Sequence, residues 1–421
     1  MKNVLAIALL STPLAHAVPH SGVLSVSSGA THACALMADH RVSCWGLGNP
    51  TPTPAPNVGD VTAVAAGKGF SCELRLDKTV WCWGVNSAGE LGNDSTVASS
   101  TAVQVLKQLT LRDVALTNVI AVSASYDHAC ALLGDNTMWC WGQNADGELG
   151  NHYASSFSPL AVKVIVNDGS DAALNVAAMA TGSSHTCAAL SDGSGTAACW
   201  GYNELGQLAN TSAGDRTNSP HPVNAPDGSK LGVYESGTVA AGALHTCVLV
   251  PDSMNVNAIN CWGDNESGEL GNSDEFGSWT SNPEAVEFPD GKKLTNLAGL
   301  SAGNSFTCAL LAADGSIACW GVDGYGQLGN HSVIGGDSVA PVPVKVDTTT
   351  LTGFTNVSAG GEHVCAVQPD MSDIAPQPGI KCWGHNDQGQ LGLGASDMFR
   401  HDAPLPVGGD WPIFSGNFDD N

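Results

Sequence analysis

The chain has 421 residues, 50 of them glycine and 14 cysteine, and its 40 acidic against 15 basic side chains give a formal charge of −25 at pH 7. So negative a surface repels polyanions, which argues against nucleic acid as a partner and against docking on anionic membranes. High solubility in a salty exterior is the plainer consequence of the charge.

Residues 1–17 have the form of a cleavable secretion signal. Met1-Lys2-Asn3 is a short positive start, Val4 to Leu10 an apolar run, and Ala15-His16-Ala17 a small-x-small cleavage site. The run is shorter than the roughly 20 residues that span a bilayer, and no later uncharged stretch approaches that length. The expected organisation is a signal at 1–17 and one domain over 18–421, secreted to a periplasm or to the medium, without membrane insertion, and monomeric.

An oxidising compartment lets thiols pair and stay paired. The cysteines fall in successive twos: Cys34 and Cys44, Cys72 and Cys82, Cys130 and Cys140, Cys187 and Cys199, Cys247 and Cys261, Cys308 and Cys319, Cys365 and Cys382. The second of each pair opens a Cys-Trp-Gly, and these seven copies lie 38, 58, 59, 62, 58 and 63 residues apart. Such a period signals a stacked or radial repeat architecture.

Each copy has one grammar. An alternating apolar segment ends in small residues, as in VTAVAAG (61–67) or VAAMATG (176–182). A short turn leads to a strand such as HACAL (32–36). A second turn, often Asp-Gly or Asp-Asn, leads to the strand that ends in Cys-Trp-Gly. Short alternating runs bounded by Asp, Asn and Gly are strands and hairpins. The residues between paired cysteines vary in number from copy to copy while the flanking strands do not. Each pair is therefore expected to bridge two neighbouring strands, where Cβ atoms stand roughly 4.5–5.5 Å apart. Seven hairpin disulfides are the expectation, each contributing about 2–3 kcal/mol through loop closure.

After Trp-Gly the chain reads G-x-N-x-x-G-E/Q-L, as in CWGVNSAGELGN (82–93), CWGQNADGELGN (140–151) and CWGDNESGELGN (261–272), and a proline-rich strand follows. Gly89 and Gly92 suit a tight turn that needs positive φ, and Asn86 suits its side-chain cap. Four strands per copy make four-stranded sheets, whose radial arrangement is a β-propeller. The pattern AG-x-x-H-T-x-A-L, D-G, W-G-x-N-x-x-G-Q-L-G resembles the repeat of the regulator-of-chromosome-condensation family over Val23 to Val407. The resemblance implies a seven-bladed, all-β propeller of four-stranded blades. A nuclear member of that family is a nucleotide-exchange factor that docks on nucleosomes, and secreted propellers of the same fold inhibit β-lactamases. No exchange loop of this chain matches residue by residue. The first copy departs from the pattern, running WGLGNPTPTPAP (45–56) without the G-E-L-G-N segment. Because Val23 to Gly29 reads as a second strand, the C-terminal strand near 403–407 is expected to complete the first blade and close the ring.

Catalytic motifs such as H-E-x-x-H, G-x-S-x-G or a phosphate loop do not occur. Five histidines (His32, His128, His185, His245 and His363) recur two residues before a cysteine, where Phe70 and Phe306 stand in the other copies. A position that phenylalanine can take is expected to fill space or make a local hydrogen bond rather than to ligate a metal. The carboxylates of NADGE (144–148) and NESGE (265–269) are expected in solvated turns rather than around calcium. No cofactor is expected.

The hairpin turns inside the disulfides are assigned to one face with the first inter-strand loops, and the long segments after G-E-L-G-N to the other. Those long loops carry Tyr153, Phe157, Phe276, Trp279 and Phe399, the kind of aromatic anchors that a protein-binding surface uses. The expected function is a non-enzymatic binding propeller, with another protein as partner and inhibition of an extracellular enzyme as a specific form. A hydrolase or lyase at the central mouth and a glycan-binding or adhesion protein are the alternatives.

Overall fold

A computed structural model describes residues 22–408 apart from 57–58, 109–111, 154, 167–171, 234–237, 252–256, 273–276, 333–335 and 370–378. The secretion signal at 1–17 and the candidate anchor Phe276 lie outside the described residues.

Seven blades follow one another around an axis, each an antiparallel sheet built in chain order from the inside out. Blade 1 comprises Val23–Ser28, His32–Met37, Val42–Gly46 and Asn49–Pro54, and blade 2 comprises Val61–Ala66, Phe70–Arg75, Val80–Gly84 and Ser99–Gln104. Blade 3 has Val119–Ser125, His128–Leu133, Met138–Gln143 and Phe157–Lys163; blade 4 has Val176–Thr181, His185–Leu190, Ala197–Tyr202 and Arg216–Pro222. Val239–Ala241, His245–Pro251, Asn257–Asn265 and Ser278–Ala285 form blade 5, and Leu297–Ala302, Phe306–Leu311, Ile317–Gly321 and Ser338–Pro343 form blade 6. Asn356–Ala359, His363–Val367, Ile380–Gly384 and His401–Pro406 complete blade 7. The outer edge of blade 3 is extended by Leu106–Gln108, which lies parallel to its fourth strand, and by Asp113–Ala115 beyond it.

The cysteines of each pair sit directly opposite each other on the second and third strands, and all seven disulfides form as the spacing predicts. Alternation sends one set of side chains from each second strand toward the preceding blade and the other set toward the following one. Buried residues accordingly gather in seven clusters, one per blade junction. The cluster between blades 1 and 2 is the smallest, with Cys34, Leu36, Val42 and Val61 fully buried.

Two expectations are corrected. The C-terminal strand does not complete blade 1: Cys382 registers with Leu405 inside blade 7, while blade 1 has its own outer strand with Cys44 opposite Thr53. Each proline-rich strand folds back on the Cys-Trp-Gly strand of its own copy, so Val23–Ser28 is a first strand and the blade is complete. The ring closes instead through contacts between blades 7 and 1, with the Asn356 carboxamide accepting from the Val26 amide at 3.0 Å, the Ser358 hydroxyl from the Ser28 amide at 2.8 Å, and main-chain bonds such as that from the Gly361 amide to the Gly29 carbonyl. The second correction concerns the faces. In an antiparallel blade the first and third turns lie at the same end, and the amides of Val85, Gln143 and Tyr202 donate to Gly69, Asp127 and Ser184 of the first turns. The long loops therefore share their face with the mouth of the central channel. The disulfide hairpin turns share the opposite face with the inter-blade connections, as in the bond from the Val119 amide to the Lys78 carbonyl.

Candidate functional site

The long-loop face starts from a repeated turn. In its second copy the Asn86 carboxamide oxygen accepts from the Leu91 amide at 2.9 Å, and Asn144, Asn203, Asn265, Asp323 and Asn386 do the same for the leucine five residues on. Gly89 has φ +79°, and a Cβ there would stand 2.5 Å from the Cα of Pro159 on the next blade, so only glycine allows the approach.

The turn also presents one carbonyl to its neighbour. The indole N–H groups of Trp45, Trp141, Trp200, Trp262, Trp320 and Trp383 donate at 2.7–2.9 Å to the main-chain oxygens of Gln390, Glu90, Glu148, Gln207, Glu269 and Gln327 on the preceding blade. At three junctions a hydroxyl reaches the same oxygen: Thr186 to Glu148 at 2.9 Å, Thr246 to Gln207 at 3.0 Å and Thr307 to Glu269 at 3.4 Å. Each of those hydroxyls meets a repeat histidine of the preceding blade, His128 at 3.0 Å and His185 and His245 at 2.8 Å. The histidines are fully buried, and burial pushes them from 6.5 down to about 4 for His32, His128 and His245 and to about 3 for His185 and His363. They are neutral core groups, and His32, His128, His185 and His245 hydrogen-bond through Nε2 whereas His363 does not. Among the described residues no three His, Cys, Asp or Glu side chains form a metal-ligating group.

Glu148 and Glu269 do not lie in solvated turns as the sequence suggested. Their side chains fold under the turn, buried, to accept from the Asp146 and Ser267 amides at 3.0 and 2.9 Å. Burial pushes both up to about 7, against the lowering effect of those bonds. Gln207, Gln327 and Gln390 take the same place in other blades, and Gln207 bonds the Leu205 amide in the same way. The carboxamide and the protonated acid are interchangeable there.

At the mouth of the channel the hydroxyls belong to the wall. Ser27, Ser123, Ser301 and Ser358 accept from the amides of Ala66, Thr181, Ala359 and Ser28 on the adjoining blade. Main-chain bonds such as Lys68 to Tyr126 and Ser183 to Gly242 continue this ring.

The aromatic candidates stand farther out on the same face. Tyr153 is 71 % exposed, Phe157 39 %, Trp279 52 % and Phe399 74 %. Phe157 opens a fourth strand and Trp279 is the second residue of another, rather than lying in loops, opposite Gln143 and Asp264. The equivalent position in blade 4, between them, is Arg216, opposite Tyr202, and its guanidinium pairs with Asp146 of blade 3 at 3.1 Å. Blades 3, 4 and 5 thus align Phe157, Arg216 and Trp279 along one arc. Tyr153 belongs to the blade 3 loop, and Phe399 belongs to blade 7 with Met398 beside it. Sequence reasoning did not single out Arg216 or Met398, nor Tyr325, which stacks on His385 at 3.9 Å. Aligning the fourth-strand residue opposite the one that follows Cys-Trp-Gly finds Arg216; Met398 and Tyr325 carry no comparable signal.

Models of the regulator of chromosome condensation (RCC1) repeat match residues 23–49, 61–90, 119–148 and 176–207 in one form and 259–310 and 314–367 in another, together more than half of the chain. The ultraviolet-B receptor UVR8 of Arabidopsis thaliana is 26% identical over 286 residues, 68% of this chain and 57% of that protein. The E3 ubiquitin-protein ligase HERC2 of Homo sapiens is 27% identical over 306 residues, 72% of this chain but 6% of the ligase. The chain thus spans little more than half of the first relative and a small part of the second. Among solved structures, Prp20p of Saccharomyces cerevisiae, described with its binding to Gsp1p and histones, superposes with a TM-score of 0.67 at 20% identity, covering 93% of this chain and 88% of that one. Human WBSCR16 superposes with a TM-score of 0.63 at 22% identity, covering 81% and 85%.

Proposed function

Because the chain belongs to the RCC1-repeat family, whose propeller it reproduces, we propose that it is a non-enzymatic binding protein for another protein, acting outside the cell that makes it. The observation that carries this reading is the placement of exposed aromatics. Every strongly exposed aromatic side chain among the described residues, Tyr153, Phe157, Trp279, Tyr325 and Phe399, belongs to the long-loop face. Large amphipathic side chains on a disulfide-braced scaffold bind at low entropic cost, and such anchors carry about 2 kcal/mol or more each. Arg216 between Phe157 and Trp279 adds a planar donor of the type enriched at interface centres. Prp20p, with its described binding to Gsp1p and histones, is a precedent on the same fold for protein binding. Inhibition of an extracellular enzyme is the specific form that suits a secreted monomer. The hydrolase alternative has less support, since the mouth hydroxyls of Ser27, Ser28, Ser123, Ser301 and Ser358 are engaged with main-chain groups of the adjoining blade.

The test is capture of partners by the purified protein from the medium of the producing cells, with the double variant Phe157→Ala/Trp279→Ala beside it. At least a tenfold weaker capture, about 1.4 kcal/mol, at an unchanged melting temperature is expected. Equal capture by both proteins overturns the choice of face. Edman sequencing of the exported protein should start at Val18, and a start at Met1 overturns the secreted reading.

A further inference from the structure

One blade junction lacks the piece that completes six others. After Gly46 the first blade turns back within two residues, Leu47 at φ +54° and Gly48 at φ +83°, and Gly46 registers with Asn49. Two successive positive φ values make the tight hairpin turn of two-residue loops. No G-E/Q-L turn can form in so short a connection. The place that this turn occupies elsewhere is open between blades 1 and 2 as a cleft of about 140 Å³, lined among others by Trp45, Leu47, Thr53, Phe70, Ser71 and Trp83.

Two donors are aimed at the missing oxygen. Trp83 is the seventh repeat tryptophan; unlike the other six it is only half-buried, and among the described residues its indole N–H has no carbonyl partner. Ser71 holds the position of Thr186, Thr246 and Thr307, is 2 % exposed, and receives His32 at 2.8 Å as those threonines receive their histidines. Its hydroxyl lacks the turn carbonyl to which the threonines donate. The remaining relay is complete, so the junction is built for an acceptor that the described residues do not supply there.

We propose that the cleft between blades 1 and 2 binds a glycine turn of a partner polypeptide, of the pattern Asn-x-x-Gly-Glu/Gln-Leu. One main-chain carbonyl of that turn accepts from Ser71 and Trp83, and its leucine enters the apolar part of the cleft against Leu47 and Trp83. The same chain shows the indole–carbonyl bond six times and the hydroxyl beside it three times, and the cleft is continuous with the core of the junction beneath it. A second copy cannot supply the turn without opening one of its own junctions, because all six of its turn carbonyls are already taken. This site is independent of the aromatic face proposed above.

The test uses a cyclic peptide with the sequence of residues 144–151, NADGELGN, and the full chain. Titration should shift the Trp83 indole N–H resonance and saturate below millimolar peptide, while a peptide with aspartate in place of the leucine leaves it unmoved. Trp83→Phe, which keeps an aromatic wall but removes the N–H, and Ser71→Ala should each weaken binding at least fivefold without moving the melting temperature by more than a few degrees. Inserting the segment 144–156 between Gly46 and Asn49 should fill the cleft in cis, abolish peptide binding and raise the melting temperature. Absence of a Trp83 shift at millimolar peptide, or equal binding by Trp83→Phe and Ser71→Ala, overturns the proposal. So does a dimer that the peptide dissolves, which assigns the cleft to a second copy. Tighter peptide binding after deletion of residues 409–421 assigns it to the chain's own C-terminal segment and overturns it too.

Discussion

The junction between blades 4 and 5 and the junction between blades 1 and 2 are built from the same strands and disulfides, yet they differ in how they are sealed. In the first, the Gln207 carbonyl takes Trp262 at 2.7 Å and Thr246 at 3.0 Å, with His185 behind the threonine. In the second, the histidine and the hydroxyl are present but the carbonyl is missing. The core there is also smaller and more polar. Glu73, on the same strand face as Ser71, is buried beside Arg75 at 2.6 Å, where the other six copies have alanine or valine. Burial pushes Glu73 up to about 7 despite that partner. The difference teaches that the repeated turn acts as a clasp between blades, and that its glycine and leucine are conditions for delivering one backbone oxygen.

The largest effect should come from breaking the clasp at its tryptophan. Trp262→Ala removes a fully buried ring and is expected to cost about 3–5 kcal/mol. Trp83→Ala removes a half-buried ring without a lost hydrogen bond and should cost less than half as much in the same melting or denaturant experiment. Equal losses would mean that the indole bonds add nothing to the sealing of a junction.

A smaller effect sharpens the role of the hydroxyl relay. Thr246→Val keeps the volume but leaves the buried His185 Nε2 unpaired, at about 1–3 kcal/mol. At the junction between blades 7 and 1 the relay is absent already, since Ala33 holds the threonine position and neither ring nitrogen of His363 has a partner. Denaturant titration of Thr246→Val and of Thr307→Val checks both values, and two neutral substitutions would remove the relay from the account.

The smallest effect is a pH dependence, and it has opposite signs for the two kinds of buried group. Glu148 and Glu269 have folded values of about 7 against 4.5 for the free side chain, so the folded state holds their protons more tightly. Their contribution is fully present below pH 4.5 and is lost as the pH rises through 7. The histidines, depressed to about 3–4 from 6.5, contribute stability that is present above 6.5 and lost as the pH falls toward 4. Glu148→Gln/Glu269→Gln should therefore be more stable than the parent at pH 8 and equal to it at pH 4.5, in melts across that range. A variant with the parent's fall in stability above pH 6 contradicts the buried, protonated reading.

The architecture was legible because it is written in side chains that recur. The Cys-Trp-Gly copies mark the third strands, the constant flanks around variable hairpins place the disulfides, and Asn86 with Gly89 marks the turn. What escaped depends on the backbone or on position in space. The clasp carbonyl has no residue signature, since Glu and Gln both present it. The burial of Glu148 follows from the neighbouring blade, and local sequence about Asn144 to Glu148 reads as a polar turn. Closure was misjudged because Val23 to Gly29 reads as a second strand and NPTPTP at 49–54 follows no G-E-L-G-N segment, although proline is tolerated on an outer edge strand and 49–54 forms one. The aromatic face was legible only as separate residues; the alignment of Phe157, Arg216 and Trp279 on three successive blades needed the register of the fourth strands.

Hydrogen exchange of the indole N–H groups, read residue by residue by NMR in the unliganded protein, tests the clasp most directly. Trp45, Trp141, Trp200, Trp262, Trp320 and Trp383 should exchange slowly, limited by opening of their junctions, and Trp83 should exchange orders of magnitude faster, as the exposed Trp279 does. Protection of Trp83 equal to that of the six, or rapid exchange of several of the six, would contradict the account.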